Sequence, residues 1–264
     1  DMIETGHHVT CVAASDGTEK NLRDLGVNFI SISLSRAGIN PFSEMALIFQ
    51  LFKILITQRP DFVISYTIKP NAYMTVLSKL MGVPCLAVVT GLGYAFLTDT
   101  LRARLARGLL KMGLIFAHHI WFLNNEDADK ICAGSSILTK KSSILEGEGI
   151  DTQVFDDALY APPPERPFIF LMIARILKDK GIYEFADAAK IVKKTYPDTV
   201  FRVIGALDSD NPAGLSSEEW GILCTQCSLE YLGVAGDVRP LIAAAHVCVL
   251  PSYREGIPRA LLET

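Results

Sequence analysis

The sequence contains no apolar run of bilayer-spanning length. Its longest candidate, GLLKMGLIFAHHIWFL, is cut by Lys111, His118 and His119. No signal-peptide pattern opens the chain. There is no N-x-S/T sequon, and Cys11, Cys85, Cys132, Cys224, Cys227 and Cys248 are scattered, mostly among apolar neighbours. That usage implies reduced thiols and a cytoplasmic location. No second cysteine pair completes a zinc site with Cys224-x-x-Cys227, and the helical spacing of Trp220, Leu223, Cys224 and Cys227 points to core packing. His118 and His119 lack Cys or carboxylate partners at metal spacing and read as structural; no metal is expected. No G-x-G-x-x-G follows a strand-like run, which disfavours a dinucleotide-dependent oxidoreductase. TGLG at 90–93 lacks the Lys and Ser/Thr of a P-loop. Basic excess is absent too: 25 Lys and Arg stand against 29 Asp and Glu, a formal charge of −4. This argues against a nucleic-acid binder relying on bulk charge.

What is present is an α/β rhythm. The 264 residues suit two domains of about 100–150 residues each. Strand-like runs at 9–14, 27–32, 61–66, 84–89 and 119–123 alternate with helical patterns at 43–58, 71–81 and 100–115. The runs lack strict alternation, as expected of parallel strands covered on both faces. At 161–167, APPPERP interrupts the rhythm, because three prolines can neither continue a helix nor pair in a central strand. The expected domains are therefore 1–161 and 162–264. After the break come strands at 168–174, 199–205, 229–232 and 246–250, with helices at 181–194, 217–227 and 237–245. Ser216 and Glu219 form a capping-box pattern for the helix at 217. The chain opens on Asp1 and closes on RALLET, a helix start without a stop signal, so a fragment cut at both ends is expected.

Ligands of such sheets sit beyond the carboxyl ends of the strands. The most informative corner follows strand 246–250: SYREGIPRALLET. Pro258 suits the first position of a helix starting near Ile257. Free N–H groups around Gly256 and Ile257 would then favour an anion such as phosphate. Glu255 and Glu263 cannot bind phosphate; they accept from hydroxyls. Glu263 lies about 7–8 Å beyond Pro258 along a helix. A ligand with a central diphosphate and hydroxyl-rich ends, a nucleotide sugar, has this layout; the plain alternative is a helix-start acid and a solvated face. After strand 168–174, Arg175 and Lys180 could neutralise a departing diphosphate, whereas Lys178 and Asp179 read as ordinary loop charges.

Together these residues resemble the family 4 retaining glycosyltransferases of GT-B fold. The matching stretches are IARILKDKGIYEFADAA, YLGVAGDVRPLIAAAHVCVLPSYREGIPRALLE and ILEGEGIDTQVF. YTIKPN (66–71) and TGLGYAF (90–96) look like the subgroup that extends polyprenyl-diphosphate-linked sugars in bacterial surface polysaccharide or glycoprotein assembly. The resemblance implies an α/β fold of two Rossmann-like domains facing across a cleft, the first lacking its first strand and the second incomplete. It implies that Arg175 and Lys180 hold the donor diphosphate, Glu255 contacts the sugar, Gly256, Ile257 and Pro258 lie beside sugar and phosphate, and Glu263 binds the ribose. It further implies a nucleotide-sugar donor, UDP-linked, as substrate; no cofactor and no metal; a lipid-linked saccharide acceptor; no nucleic acid; and retention of configuration. A GT-B-fold epimerase and a non-catalytic nucleotide-sugar-binding module are the rival readings.

Several segments carry two readings each. Arg104, Arg107 and Lys111 share one helix face and Leu101, Leu105, Leu109 and Met112 the other. The basic face could touch anionic headgroups on the inner side of the membrane, or simply be solvated. Lys69 could meet an acceptor phosphate or solvent. TGLG and EGEG (146–149) could approach a ligand or be plain turns.

Overall fold

The computed structural model describes residues 2–33, 41–92, 100–145, 147, 149–156, 158 and 160–264. In chain order its elements are β1 (Thr10–Ala13), α1 (Glu19–Asp24), β2 (Asn28–Ser31), α2 (Pro41–Gln58), β3 (Val63–Tyr66), α3 (Ile68–Leu80), β4 (Cys85–Val89), α4 (Leu101–Phe116), β5 (His119–Phe122), α5 (Asn125–Cys132), α6 (Ser136–Lys141) and β6 (Ser142–Ile144). There follow β7 (Ile169–Ile173), α7 (Ile182–Thr195), β8 (Val200–Ile204), α8 (Ser217–Cys227), β9 (Leu229–Tyr231), α9 (Arg239–Ala243), β10 (Val247–Cys248) and α10 (Arg259–Leu262). No helix or strand lies within 161–168. The expected strands coincide with β1–β5 and β7–β10 to within a few residues. The short α1, α5, α6 and β6 escape a periodicity reading, since three to eight residues hold too little of a period. Caps set two of them: Asn124 Oδ1 accepts from Asp127 N, and Ser135 Oγ from Leu138 N.

Two compact units result. One gathers β1–β4 with α1–α4 and α6; the other holds α5, β7–β10 and α7–α10, while β5 and β6 have residues in each. In the first unit β1 and β2 pair in parallel; β3-β4-β5-β6 form a four-stranded sheet, with β3 and β4 wholly in that unit. All five residues of β4, CLAVV, are buried, as a strand covered on both faces requires. Leu47, Leu51 and Leu55 of α2 pack with Leu77 of α3 and Ile32. Helices α3 and α4 approach closely at Gly113, where an added Cβ would stand 2.6 Å from the Ala72 Cα.

YTIKPN turns out to organise this unit internally. Asn71 is buried, donates to the Val88 carbonyl at 2.9 Å and accepts from Ser65 Oγ at 2.5 Å, tying α3 to β3 and β4. Lys69 is not simply solvated: its Nζ lies 2.6 Å from Glu44 Oε1, and Tyr73 donates to the other Glu44 oxygen at 2.7 Å. Burial alone would raise the Glu44 carboxyl, but the hydrogen bonds from Lys69 and Tyr73 and the Lys69 charge outweigh it and hold the group below its ordinary value. A depressed carboxylate stabilises the fold fully above its unfolded value of about 4.3, and that stabilisation is lost as pH falls through the lower folded value. Glu44→Gln is therefore expected to flatten the acid limb of stability against pH. Urea melts across a pH series check this; equal limbs in both proteins would count against the cluster.

The second unit is one parallel sheet in the order β10-β7-β8-β9. Phe185, Ala186 and Ala189 of α7 and Trp220 and Cys227 of α8 meet Met172, Phe201 and Val203 in its core. Cys224 packs against this core, and burial lifts its thiol to about 11, as befits a packing residue. The capping box closes as expected, with Ser216 accepting from Glu219 N and Glu219 accepting from Ser216 N. One local expectation is corrected. The corner helix starts at Arg259, with Pro258 as its N-cap at ψ 103°, not near Ile257. Pro258 keeps a helical φ, but its ψ lies in the extended region, so the first helical residue is the next one, Arg259.

Candidate active site

The strand order of the second unit decides where a ligand can sit. From β7 the chain adds β8 and β9 on one side, then returns to place β10 on the other. The direction reverses between β7 and β10, and in sheets of this kind ligands sit outside the carboxyl ends of the strands at such a reversal. Those two loops carry Arg175 to Lys180 and Pro251 to Pro258.

Lys180 ends a single 3-10 turn, Lys178–Lys180, and Gly181 then takes φ +76° to open α7. A Cβ at Gly181 would stand 2.1 Å from the Pro251 carbonyl oxygen, so only glycine lets the two loops come this close. Ser252 Oγ and Tyr253 N both donate to the Asp179 carbonyl, at 3.2 and 3.0 Å, and Tyr253 OH donates to Glu184. Across this junction Lys180 Nζ meets Glu255 Oε1 at 2.6 Å, with side chains 20% and 24% exposed. The structure thus joins Lys180 and Glu255, one from each loop.

The other expected residues are placed as follows. Arg175 leaves the end of β7 and pairs with Asp208, beyond β8, at 2.9 Å. Gly256 has room for no side chain: a Cβ would stand 2.1 Å from the Thr90 carbonyl oxygen and 3.2 Å from Leu123 Cδ1. Ile257 Cδ1 would touch a Cβ at Gly147 at 3.4 Å. Pro258 caps α10, and Glu263, just past that helix, lies 3.4 Å from Arg259 Nη2. Gly93 and Tyr94–Phe96 of TGLGYAF, and Glu146 and Glu148 of EGEG, lie outside the described residues.

Beneath Glu255 lies a support that sequence reasoning missed. Arg254 Nη2 donates to Asp127 Oδ1, and Asp127 is 1% exposed. Asn124, the N-cap of α5, donates to the carbonyls of Glu255 and Gly256 at 3.2 and 3.4 Å. Two residues from one helix start therefore hold the backbone and side chain on both sides of Glu255. The only sequence signal was position: Asn124 and Asp127 come just after strand β5, where functional residues collect. At the rim, the Lys130 hydrogen bond and charge, with the Arg254 charge, hold the Glu126 carboxyl below its usual range. Among the described residues no group of three or more His, Cys, Asp or Glu could hold a metal ion.

Residues 161–264 match the family described as glycosyl transferases group 1, and residues 2–124 match glycosyl transferase 4-like. A curated relative from Campylobacter jejuni, N,N'-diacetylbacillosaminyl-diphospho-undecaprenol alpha-1,3-N-acetylgalactosaminyltransferase, is 30% identical over 97% of the chain and 69% of its own length. The chain belongs to the family 4 glycosyltransferases. A second relative of this glycosyltransferase is the UDP-Gal:alpha-D-GlcNAc-diphosphoundecaprenol alpha-1,3-galactosyltransferase of Escherichia coli, 27% identical over 86% of the chain and 60% of the relative. Its fold is α/β of GT-B type, as expected. A glycosyltransferase from Rickettsia africae superposes with TM-score 0.72 at 16% identity, covering 99% of this chain and 69% of the other. The Anabaena HepE protein, crystallised with UDP-glucose, does so with TM-score 0.73 at 14% identity, covering 96% and 69%.

Proposed function

We propose that this glycosyltransferase moves a sugar from a nucleotide-diphosphate donor, UDP-linked, to a polyprenyl-diphosphate-linked saccharide, with retention of configuration. The observation that carries the reading is the meeting of Lys180 and Glu255 at the β7/β10 reversal. An ammonium and a carboxylate held together there match a ligand with an anionic diphosphate and a hydroxyl-rich sugar. Lys180 and Arg175 stabilise the charge that develops on the departing diphosphate. Glu255 accepts from donor-sugar hydroxyls, the Gly256, Ile257 and Pro258 backbone lies beside sugar and phosphate, and Glu263 accepts from the ribose. The chain's own cations supply the charge stabilisation, so no metal or cofactor is invoked. The names of the two curated relatives support a diphosphoundecaprenol-linked acceptor. UDP is supported by the donor in the second name and by the UDP-glucose in the Anabaena structure. Arg104, Arg107 and Lys111 of α4 would meet anionic headgroups, placing the protein peripherally on the inner face of the membrane.

The test is a panel of UDP-, GDP- and ADP-sugars offered to the full-length protein with a polyprenyl-diphosphate-linked saccharide, read by mass spectrometry. Addition of one hexose-type residue from a UDP-sugar is expected. Conversion of a UDP-sugar without any acceptor would replace transfer by epimerisation.

A further inference from the structure

Helix α2 is apolar on nearly every side, PFSEMALIFQLFKILITQ, which alone would predict a helix enclosed in the core. It is not enclosed. Leu47, Leu51 and Leu55 face inward, yet Phe42, Met45, Phe49, Phe52 and Ile56 are between 40% and 86% exposed. Their spacing of three, four, three and four residues sets them in one line along a helix about 27 Å long. Helix α4 repeats the arrangement. Ala103, Leu110 and Leu114 are buried, whereas Leu101, Leu105 and Met112, expected to share the apolar face, stand in solvent. Helix α3 packs against both α2 and α4.

Charge identifies what covers these stripes. Helix α4 has no Asp or Glu and carries Arg104, Arg107 and Lys111. The one acid of α2, Glu44, is turned inward onto Lys69 and Tyr73, leaving Lys53 as its remaining charge. The outward charged residues of these two helices are thus all basic, Lys53 and Lys111 among them, in a chain whose formal charge is −4. A symmetric dimer through them would set cations against cations. An anionic phospholipid surface complements them, with acyl chains for the aromatic line and headgroup phosphates for the cations. Among the described residues no helix is long and apolar enough to cross a membrane. We propose that α2 lies in the bilayer interface with Phe42, Met45, Phe49, Phe52 and Ile56 inserted, and that α4 adds apolar and cationic contacts. This deepens the reading of a lipid-linked acceptor by identifying the surface that meets its membrane.

The experiment is co-sedimentation of the full-length protein with vesicles of phosphatidylcholine alone or mixed with phosphatidylglycerol. Wild type is expected to bind the mixed vesicles, more weakly as salt rises. Met45→Gln/Phe49→Gln, two side chains already in solvent, should lower partitioning about ten-fold or more. Arg104→Gln/Lys111→Gln should lower it on mixed vesicles alone. Circular dichroism confirms that each variant is folded, and Phe42→Gln/Phe52→Gln serves if the first pair is not. Unchanged partitioning of folded α2 variants overturns the proposal. So does a wild-type dimer that the variants convert to monomer without any vesicle binding, since the occupant would then be a second copy. Vesicle binding requires no turnover, so its failure and the failure of the transferase reading are distinguishable.

Discussion

Lys180→Ala in the full-length protein is expected to lower sugar transfer by on the order of 10²–10³-fold. The physical reason is the position of the ammonium, held 2.6 Å from Glu255 where the strand order reverses. A fixed cation costs no reorganisation when charge moves onto a leaving diphosphate, and this differential stabilisation is what a rate measurement detects. The pair is only partly buried, so its contribution to stability should be small, about 0–1 kcal/mol. Activity and thermal stability therefore separate: transfer falls steeply while the melting temperature moves little. UDP affinity, measured by calorimetry, should fall with transfer. Near-normal turnover in the variant would remove Lys180 from the machinery, and a collapse of the fold would make its role structural.

The Asp127→Ala variant is expected to act in the opposite manner, mainly on stability. It strands the Arg254 guanidinium, whose side chain is 9% exposed, without its carboxylate. Breaking a buried ion pair from one side costs about 3–5 kcal/mol. The double variant Asp127→Leu/Arg254→Met should recover most of that loss, because two apolar groups leave no uncompensated charge. It should not recover transfer, since Arg254 adjoins Glu255 and its anchoring also sets that carboxylate. Denaturant melts and kinetics on the four proteins of the cycle read both quantities. A loss below about 1 kcal/mol for Asp127→Ala would show that the pair is not buried as described. Full transfer by the double variant would show that the Glu255 loop needs no such anchor.

Much of this was written locally. The β and α periods, the proline break, the capping box of α8 and the positions of Arg175, Lys180 and Glu255 relative to strands all follow from short-range patterns. Neighbours along the chain decide them: apolar spacing, proline geometry and side-chain caps within three or four residues. The resemblance to a family rests on the same short stretches, and family membership agrees with it.

Other features needed the folded chain. Asn124 and Asp127 lie about 130 residues from the loop they hold, and no local pattern links an N-cap of one helix to carbonyls of another segment. Lys69 reads equally as a phosphate contact or a solvated lysine in the sequence, and only the fold brings Glu44 of α2 beside it. Pro258 suits a first helical position by its fixed φ, which leaves ψ open, and the fold sets that ψ at 103° and makes Pro258 the N-cap. The apolar pattern of α2 cannot reveal which of its lines faces the core, because Leu51 and Phe49 are equally hydrophobic in a string of letters. Sequence periodicity specifies that a helix or strand forms and that some face of it is buried. Which face, against what, and which distant side chains meet depend on how the elements pack, and packing is a property of the whole chain. That is why SYREGIPRALLET could suggest a nucleotide-sugar wall by itself, while its pairing with Lys180 and its anchoring by Asn124 and Asp127 came from the fold.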